Sequence, residues 1–314
     1  MKLGLGIDIG GTNTKILLLR QDLKALKEIK IKTRSERGYS AFLKEIGEIV
    51  NSLKKEYKGI KRLSIGMAGD IDNVNGILRY SPNLNGWRNL KIAKFIEDRT
   101  SIKCDIENDA NMAAWGAYIL DLNRKYSNVA VLTLGTGIGG GLIFNGSLYR
   151  GFNGSAGEIG HMLIEDNGRL CGCGNRGCLE AYCGSKAIIK RAMDFIKNET
   201  FFRTKYGYGD EHRINTIALS KAAQDKYLPA IKIWDEVGHY LALGIGNILM
   251  ILNPEVVVLT GGVSKAGKYF MPSLKNNLER FKIKTPLKAK ILISKNADLG
   301  SFGCALFSME NQKK

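Results

Sequence analysis

Two stretches of the sequence decide the fold, LGLGIDIGGTNTKILLL at residues 3–19 and VLTLGTGIGGGLIF at residues 131–144. Each has the pattern of an apolar strand, a glycine-rich turn and a second strand, so the same device occurs twice in one chain. Around them, strand patterns alternate with amphipathic helical patterns, which favours α/β domains. The sequence therefore predicts two α/β domains that face a cleft, at residues 1–120 and 121–298, with the closing helix 299–314 a candidate member of the first.

The composition is that of a globular chain. The 314 residues are 44% apolar and 25% charged, which excludes a chain that is mostly disordered. No apolar stretch is long enough to cross a bilayer, and the N-terminus shows no apolar signal segment. We therefore expect a cytoplasmic protein with no membrane partner.

The chain carries a formal net charge of +17. Such an excess favours anionic partners, but the lysines are spread along the chain instead of forming one block. The segment FFRTKYGYGD at 201–210 mixes aromatic and basic residues, as single-strand nucleic-acid sites do. We interpret this segment as a loop between helices, and the charge as a generally basic surface without a specific nucleic-acid partner.

Three glycine-rich turns follow predicted strands. They are Gly10-Gly11-Thr12, Gly135-Thr136-Gly137 and Gly261-Gly262. Backbone N–H groups of glycine approach an anion closely, so such turns form phosphate-binding nests, although a plain hairpin turn has the same composition. The spacing matches neither the Walker pattern GxxxxGK[ST] nor a Rossmann turn that opens a helix.

Asp8 lies two residues before the first of these turns. A carboxylate beside a phosphate nest repels phosphate unless a cation lies between them. Mg²⁺ suits that place, because it binds one or two carboxylates together with phosphate oxygens and water. Thr12 can add a hydroxyl and Lys15 a positive charge, so the first turn is a candidate site for a phosphate group and its metal ion.

A short strand that ends at Ile106-Glu107 leads into a predicted helix that begins near Asn108-Asp109. Phosphoryl transfer to an alcohol needs a group that accepts the hydroxyl proton. An aspartate at a helix N-terminus stays ionised and ready for that task, so Asp109 is the candidate base. Asn and Asp are also favoured N-cap residues, and a purely structural role for Asp109 stays open at this point.

Four of the six cysteines lie between residues 171 and 183. In a cytoplasmic chain such a cluster favours a metal site over disulfide bonds. His161, Cys171, Cys173 and Cys178 make up a Cys₃His set, which is standard for tetrahedral structural zinc. Buried thiols that stay reduced are the alternative.

Five segments, spread over nearly the whole chain, carry a further signal. They are DIGGT at 8–12, NDANMAAWGA at 108–117, LGTGIGGGLIFNGSLYRGFNGSAGEIGH at 134–161, CGCGNRGCLEAY at 171–182 and VVLTGGVS at 257–264. Together they resemble the signature of the ROK family of sugar kinases and repressors. The resemblance implies two ribonuclease H-like domains of the actin and hexokinase type, which flank a cleft for nucleotide and sugar.

The resemblance also implies a role for each matching position. ATP with its Mg²⁺ would be bound by Asp8, Gly10, Gly11, Thr12, Asn13, Lys15, Gly135, Thr136, Gly137, Gly139, Gly261 and Gly262. The sugar would be bound by Gly69, Asn83, Asn108, Asp109, Glu158, His161 and Glu180, with Asp109 as the catalytic base. Structural zinc would be held by His161, Cys171, Cys173 and Cys178.

The implied activity is that of an ATP-dependent hexose kinase that phosphorylates the 6-hydroxyl group. Glucose is the expected sugar, because SPNLNGW at 81–87 is similar to the glucokinase branch of the family. Asp70, where some relatives carry other residues, keeps N-acetylmannosamine, N-acetylglucosamine and fructose as alternatives. The resemblance further implies a homodimer or homotetramer.

Two other classes of protein stay as alternatives. Repressors of the family carry a helix-turn-helix domain before the first phosphate loop; that loop begins here at Asp8, so we expect an enzyme and not a sugar-responsive regulator. An ATPase of the actin or chaperone kind would need no sugar site. Glu158, His161 and the cysteine cluster argue against it.

Overall fold

The computed structural model describes residues 2–209 and 213–311. The chain forms two compact units. The first unit comprises the chain up to Lys125, Gly141–Gly157 and the chain from Asn296 onward. The second comprises Tyr126–Gly140 and Glu158–Lys295.

The elements alternate as the sequence predicts for an α/β protein. The strands are β1 (Leu3–Ile9), β2 (Asn13–Arg20), β3 (Ala25–Lys32), β4 (Arg62–Met67), β5 (Asp70–Asp72), β6 (Ile77–Tyr80), β7 (Arg88–Leu90), β8 (Lys103–Asn108), β9 (Val129–Leu134), β10 (Ile138–Phe144), β11 (Ser147–Tyr149), β12 (Val256–Thr260) and β13 (Lys290–Ile293). The helices are α1 (Tyr39–Glu56), α2 (Ile92–Thr100), α3 (Asp109–Leu120), α4 (Glu180–Cys183), α5 (Ser185–Phe195), α6 (Glu199–Tyr206), α7 (Thr216–Gln224), α8 (Leu228–Leu252), α9 (Gly267–Leu278) and α10 (Leu299–Asn311).

The first unit is built on a five-stranded sheet of order β3-β2-β1-β4-β8. Strand β1 is antiparallel to β2 and parallel to β4, which is parallel to β8. In this register Asp8 lies opposite Gly66, and Gly66 lies opposite Glu107. Because side chains in one row across a sheet share a face, the two carboxylates lie on the same face of the sheet.

The two faces of β1 differ because leucine or isoleucine alternates with glycine along it. Leu3, Leu5, Ile7 and Ile9 are buried in one core cluster with the apolar side of α1. Gly4 and Gly6 point the other way, where α10 lies directly on the strand. A Cβ atom at Gly4 would come within 2.1 Å of the Ala305 carbonyl oxygen.

Helix α10 makes an equally close approach to α3. A Cβ atom at Gly303 would lie 1.8 Å from the carbonyl oxygen of Met112, and one at Gly116 would lie 2.4 Å from that of Leu299. Glycine at these positions lets the two helix backbones touch. Helix α10 thereby connects β1 to α3 by direct backbone contacts.

Strands β9, β12 and β13 of the second unit belong to the sheet of order β11-β10-β9-β12-β13, in which β12 pairs in parallel with β9 and β13. Its longest helix, α8, has 25 residues and packs against α9, α5 and α7. Strand β10 leaves this unit after Gly140 and continues toward β11 in the segment that belongs to the first unit.

The predicted domain bounds, 1–120 and 121–298, stay a prediction, because compact packing units need not coincide with folding domains. The units differ from these bounds at Gly141–Gly157, which packs in the first unit. Helix α10 also packs there, and residues 312–314 of the predicted closing helix lie outside the described residues.

Two parts of the chain differ from the local prediction. The turn-rich segments 69–76 and 81–87 are part of a small antiparallel sheet of order β5-β6-β7, because β5 lies inside the first segment and the second segment connects β6 to β7. The three strands have three or four residues each. The predicted loop at 201–210 is wrong for most of its length, because Glu199–Tyr206 forms α6 with Asn198 as its N-cap. Its last residue, Asp210, lies outside the described part of the chain.

None of the helices in residues 2–209 and 213–311 combines the length and the apolar character that a membrane span requires.

We expect Gly303→Ala to destabilise the protein, because a Cβ atom there would overlap the Met112 carbonyl oxygen. Overpacking of this kind costs about 1–3 kcal/mol or more. Gly47→Ala in α1 is the matched control, since its Cβ would come no closer than 3.5 Å to the Arg99 side chain, and alanine is favoured over glycine in a helix by about 1 kcal/mol. Chemical denaturation measures both; equal stabilities for the two variants would contradict the close helix contact.

Candidate active site

The first glycine turn (residues 10–13) is a tight connection between β1 and β2. The N–H group of Gly10 donates to the carbonyl oxygen of Asn13 at 3.1 Å. Thr33 braces the turn from outside, since its hydroxyl donates to the Gly10 carbonyl oxygen at 2.6 Å and its N–H group donates to that of Thr12. Gly11 and Thr12 are exposed at the tip, as an anion-binding turn requires.

Asn83 lies against this turn. A Cβ atom at Gly11 would lie 3.2 Å from the Asn83 carbonyl oxygen and 3.3 Å from its Cβ. The structure therefore brings together two residues that the sequence predicts for different ligands, Gly11 for phosphate and Asn83 for sugar. Such proximity is what a transfer between those ligands needs.

Asp8 is partly buried on the glycine face of β1, where Gly300 of α10 leaves room for its carboxylate. The pKa of Asp8 is raised to about 7, mainly by burial; the carboxylates of Asp109 and Asp298 contribute to the increase, and Lys15 opposes it. Lys15 itself forms an ion pair with Asp298. Its ammonium group is therefore already paired with a carboxylate beside the site predicted for phosphate.

Asn108 is the N-cap of α3, and Asp109 is the first residue of that helix. The Asn108 Oδ1 atom accepts from the N–H groups of Ala110 at 2.8 Å and Asn111 at 3.2 Å, while its Nδ2 atom donates to the Gly69 carbonyl oxygen at 3.2 Å. The capping role that was open for Asp109 therefore falls to Asn108. Asp109 accepts from the Ala110 N–H group at 2.9 Å, within the first turn of the helix.

The predicted sugar residue Gly69 lies at the end of β4, next to the small sheet. Its φ of +140° is a conformation that favours glycine, and a Cβ atom there would lie 2.2 Å from the Tyr80 carbonyl oxygen. The backbone conformation and the nearby carbonyl group thus require glycine at position 69. It contacts the predicted catalytic turn through its carbonyl group, which accepts from Asn108.

In the second unit, the second glycine turn (residues 135–139) connects β9 to β10. The Gly135 N–H group donates to the Gly137 carbonyl oxygen at 2.9 Å, and that of Gly139 donates to the Thr133 hydroxyl at 3.1 Å. Thr136 is exposed at the tip. The arrangement parallels the first turn, as the repeated sequence predicts.

Glu180 braces this second turn. Its Oε2 atom accepts from the Ile138 N–H group at 2.9 Å, and a Cβ atom at Gly137 would come within 2.0 Å of the same oxygen. The other carboxylate oxygen, Oε1, lies 3.6 Å from the Cys171 sulfur. The residue predicted to bind sugar therefore also links the second glycine turn to the cysteine cluster.

The third glycine turn, Gly261-Gly262, follows β12 beside the start of the second turn. Gly261 has a φ of +92°, and a Cβ atom there would lie 2.5 Å from the Leu134 carbonyl oxygen. A Cβ atom at Gly262 would meet open space. These two predicted nucleotide-binding turns are neighbours within one unit.

Glu158 and His161 flank a single 3₁₀ turn, Ile159–His161, in which the His161 N–H group donates to the Glu158 carbonyl oxygen at 3.0 Å. The turn lies against β10, because a Cβ atom at Gly160 would lie 2.1 Å from the Ile138 carbonyl oxygen. Glu158, His161 and Glu180 thus approach the same few residues of the second unit.

The four predicted metal ligands form one cluster. Their ligand atoms all lie within 4.8 Å of one another. The Cys173 and Cys178 sulfurs are 3.7 Å apart, and the Cys171 sulfur lies 3.8 Å from the His161 Nδ1 atom. Ligands at Zn–S distances of about 2.3 Å in a tetrahedron are separated by about 3.8 Å, so the donor set fits zinc.

Two charged contacts near Asp109 went unnoticed in the sequence. Glu107, with 1% of its surface exposed, pairs with Arg150, and Asp70 pairs with Arg79 and accepts from Ser155. The sequence of β8, KCDIEN, contains three charged residues, and no local pattern marks Glu107 as the buried one. The partners of these residues lie far along the chain and left no local pattern.

The comparisons with known proteins agree with one another. A family model described as ROK family matches residues 4–307. The chain is 34% identical to the glucokinase of Thermotoga maritima, over 87% of this chain and 86% of that protein. It is 31% identical to the xylose repressor of Bacillus subtilis, over 74% of this chain and 56% of the repressor.

A solved structure is also similar. It is a ROK family glucokinase from Streptomyces griseus in complex with glucose and AMPPNP, with a TM-score of 0.83 and 27% identity over 98% of this chain and 99% of that one. The likeness confirms the predicted α/β fold of the actin and hexokinase type.

The raised pKa of Asp8 predicts a pH-dependent stability. Between the ordinary value of 3.8 and about 7, the folded chain keeps a proton on Asp8 that the unfolded chain has lost. The native state then binds more protons, so its stability falls as pH rises through this window, by up to about 1.4 kcal/mol per pH unit, and levels off above it.

Asp8→Asn removes this contribution, and its stability serves as the reference. Denaturation of both proteins without divalent cations, at several pH values between about 4 and 8, should show wild type losing stability relative to the variant as pH rises. Parallel profiles would mean that the carboxylate titrates normally.

Proposed function

The chain belongs to the ROK family, and from this premise we propose that it is an ATP-dependent hexokinase that transfers the γ-phosphoryl group of ATP to the 6-hydroxyl of glucose. The observation that carries the proposal is the turn at the start of α3. Asn108 caps the helix, and Asp109 lies in its first turn, within electrostatic range of Asp8 beside the first glycine turn. The glucokinase relatives support glucose as the sugar.

Asp109 accepts the proton of the 6-hydroxyl group in this proposal. The helix N-terminus favours the ionised form of Asp109. The hydrogen bonds that Asn108 makes as the N-cap fix the backbone from which Asp109 projects. A base held in this way needs no rearrangement as the hydroxyl oxygen attacks phosphorus. Asn83, Gly69 and Asn108 would contact sugar hydroxyls on the side of the first unit.

Glu158, His161 and Glu180 would bind the remaining sugar hydroxyls. Carboxylates accept two hydrogen bonds from neighbouring hydroxyls, and the charge strengthens both. Glu180 already accepts from the Ile138 N–H group through Oε2, and its Oε1 atom, which lies 3.6 Å from the Cys171 sulfur, would also accept from a sugar hydroxyl. The residue would thereby tie sugar binding to the shape of the second glycine turn.

ATP would be bound by the three glycine turns. In the first, Gly10, Gly11, Thr12 and Asn13 face the phosphate groups with Lys15 beside them. In the second, Gly135, Thr136, Gly137 and Gly139 would hold the β- and γ-phosphates, while Gly261 and Gly262 would lie near the adenosine. Asp8, whose pKa is raised mainly by burial, would hold Mg²⁺ beside the first turn, and the ion would neutralise phosphate charge.

Zinc would be structural and held by His161, Cys171, Cys173 and Cys178. Burial raises the pKa of Cys171 to about 12, and a bound dication would offset that cost by stabilising the thiolate. Because the Nδ1 atom of His161 faces the Cys171 sulfur, the Nε2 atom is left for the sugar. Zinc would then fix the ring of His161 and take no part in the chemistry.

We also propose a cytoplasmic homodimer or homotetramer without a specific nucleic-acid partner. Leu228, Ile251 and Ile283 of the second unit are each about two-thirds or more exposed. Exposed apolar side chains of this size support an interface between copies of the chain.

A coupled assay of ADP release tests the activity. We expect release from MgATP that depends on added glucose, with N-acetylmannosamine, N-acetylglucosamine and fructose as the comparison sugars. Asp109→Asn should lower kcat by about 10²–10⁴-fold while sugar binding persists. Asp121→Asn, the same change at the other end of α3, is the matched control. No turnover with any sugar, or full turnover by Asp109→Asn, would refute the proposal.

Elemental analysis tests whether the protein binds zinc. We expect about one zinc ion per chain, with Cys173→Ser reducing that content strongly because three ligands hold zinc far more weakly than four. Cys183→Ala is the matched control, since this buried thiol donates to the Val237 carbonyl oxygen and lies outside the cluster. Zinc-free wild type, or equal zinc in the two variants, would count against the site.

A further inference from the structure

We infer that Arg150 is a positioning residue for the catalytic turn, and that it acts through the buried carboxylate of Glu107. The two residues form a pair that holds Asn108 and the first turn of α3 in place. The inference rests on the proposed role of Asp109 as the base, and it assigns the residues that fix that base.

Glu107 is the centre of the contact. Its side chain is 2% exposed, and both of its oxygens are occupied. The Oε1 atom accepts from the Asn108 N–H group and from Asn111 Nδ2, each at 3.0 Å. The Oε2 atom accepts from Arg150 Nε at 2.5 Å. One carboxylate therefore binds the residue before Asp109 and the residue two positions after it.

Arg150 is the partner that makes this buried charge tolerable. A carboxylate taken out of water is strongly disfavoured unless a cation and hydrogen bonds replace its hydration. The guanidinium group is itself fixed, because it lies 5.6 Å from the centre of the Phe307 ring. That ring packs edge-on against Trp115 of α3. Arg150 thus contacts both Glu107, which holds the first turn of α3, and Phe307 of α10.

The loop that follows Arg150 makes a second contact with the same turn. The Arg150 carbonyl oxygen accepts from the Ala156 N–H group, which closes the loop. Ser155 donates to Asp70 at 2.8 Å, and Arg79 joins Asp70 to the Asn153 carbonyl oxygen. Asp70 follows Gly69, the residue that accepts from the Asn108 side chain. The loop therefore contacts Asp70 directly and through Arg79, and Asp70 adjoins the residue that accepts from Asn108.

The pair of Glu107 with Arg150 lies outside the residues proposed to bind sugar and ATP, and its contacts with the catalytic turn give it a positioning role. Without Arg150, the carboxylate of Glu107 is left unpaired, and its hydrogen bonds to Asn108 and Asn111 lose their support. The first turn of α3 then shifts, and displacement of a base by a fraction of an ångström slows transfer. The glycine turns that bind ATP are untouched, so the defect belongs in kcat and not in the KM for ATP.

The test is a set of variants assayed with glucose and MgATP. Arg150→Met should lower kcat by about tenfold or more while the KM for ATP stays within about twofold. Arg150→Lys should recover part of the loss, because an ammonium group keeps the charge and loses the planar fork. Arg124→Met is the matched control: Arg124 also pairs with a glutamate, Glu310, and lies 5.3 Å from the Trp115 ring, but at the exposed end of α3.

The double variant Glu107→Met with Arg150→Met separates positioning from stability. Replacement of a buried ion pair by apolar side chains often restores stability. We expect thermal stability to recover toward wild type while kcat stays low. Full recovery of kcat together with stability would overturn the inference, as would wild-type turnover by Arg150→Met. Absence of sugar-dependent turnover in the wild-type protein would instead refute the proposed function.

Discussion

The direct contact of α10 with β1 and α3 is the constraint on which the first unit depends. Gly4 and Gly6 on the strand, and Gly116 and Gly303 between the helices, remove the side chains that would hold these backbones apart. The N-terminus of α3 therefore lies beside the carboxyl end of β1. Asp8 and Asp109 come within electrostatic range for this reason, although they are far apart in the sequence.

The second unit holds its glycine turn in place with a different set of contacts. Its glycine turn is held by a carboxylate as well as a hydroxyl, since Glu180 accepts from the Ile138 N–H group and Thr133 accepts from that of Gly139, whereas the Thr33 side chain braces the first turn. The other oxygen of Glu180 faces Cys171. A metal ion bound by the cysteines would thus stabilise the phosphate-binding turn as well as the ring of His161. In the proposed kinase, Glu180 would thereby connect the residues for sugar with the turn for phosphate.

Short-range sequence patterns were sufficient to predict much of this structure. The alternation of leucine and glycine at 3–9 and the cap at Asn108 are short-range signals, and both strand-turn-strand devices and the start of α3 follow from them. Strands of three residues, such as β5 and β7, carry too few side chains for a period to be visible. Contacts between residues that are distant in the sequence could not be predicted; the ion pair of Lys15 with Asp298, for example, joins residues 283 positions apart. Which of Asn108 and Asp109 caps the helix depends on backbone angles and not on residue type.

The charges around the catalytic turn explain why this site calls for a divalent cation. Asp8, Glu107, Asp109 and Asp298 bring four carboxylates to the α10 side of one sheet, and Lys15 and Arg150 supply the cations that pair with two of them. Burial is the main cause of the raised pKa of Asp8, and the neighbouring carboxylates of Asp109 and Asp298 add to the shift, because both effects disfavour the ionised form. A triphosphate adds still more negative charge at the same place. Mg²⁺ relieves both at once, so the local charge balance favours a nucleotide that arrives together with its metal ion over either component alone.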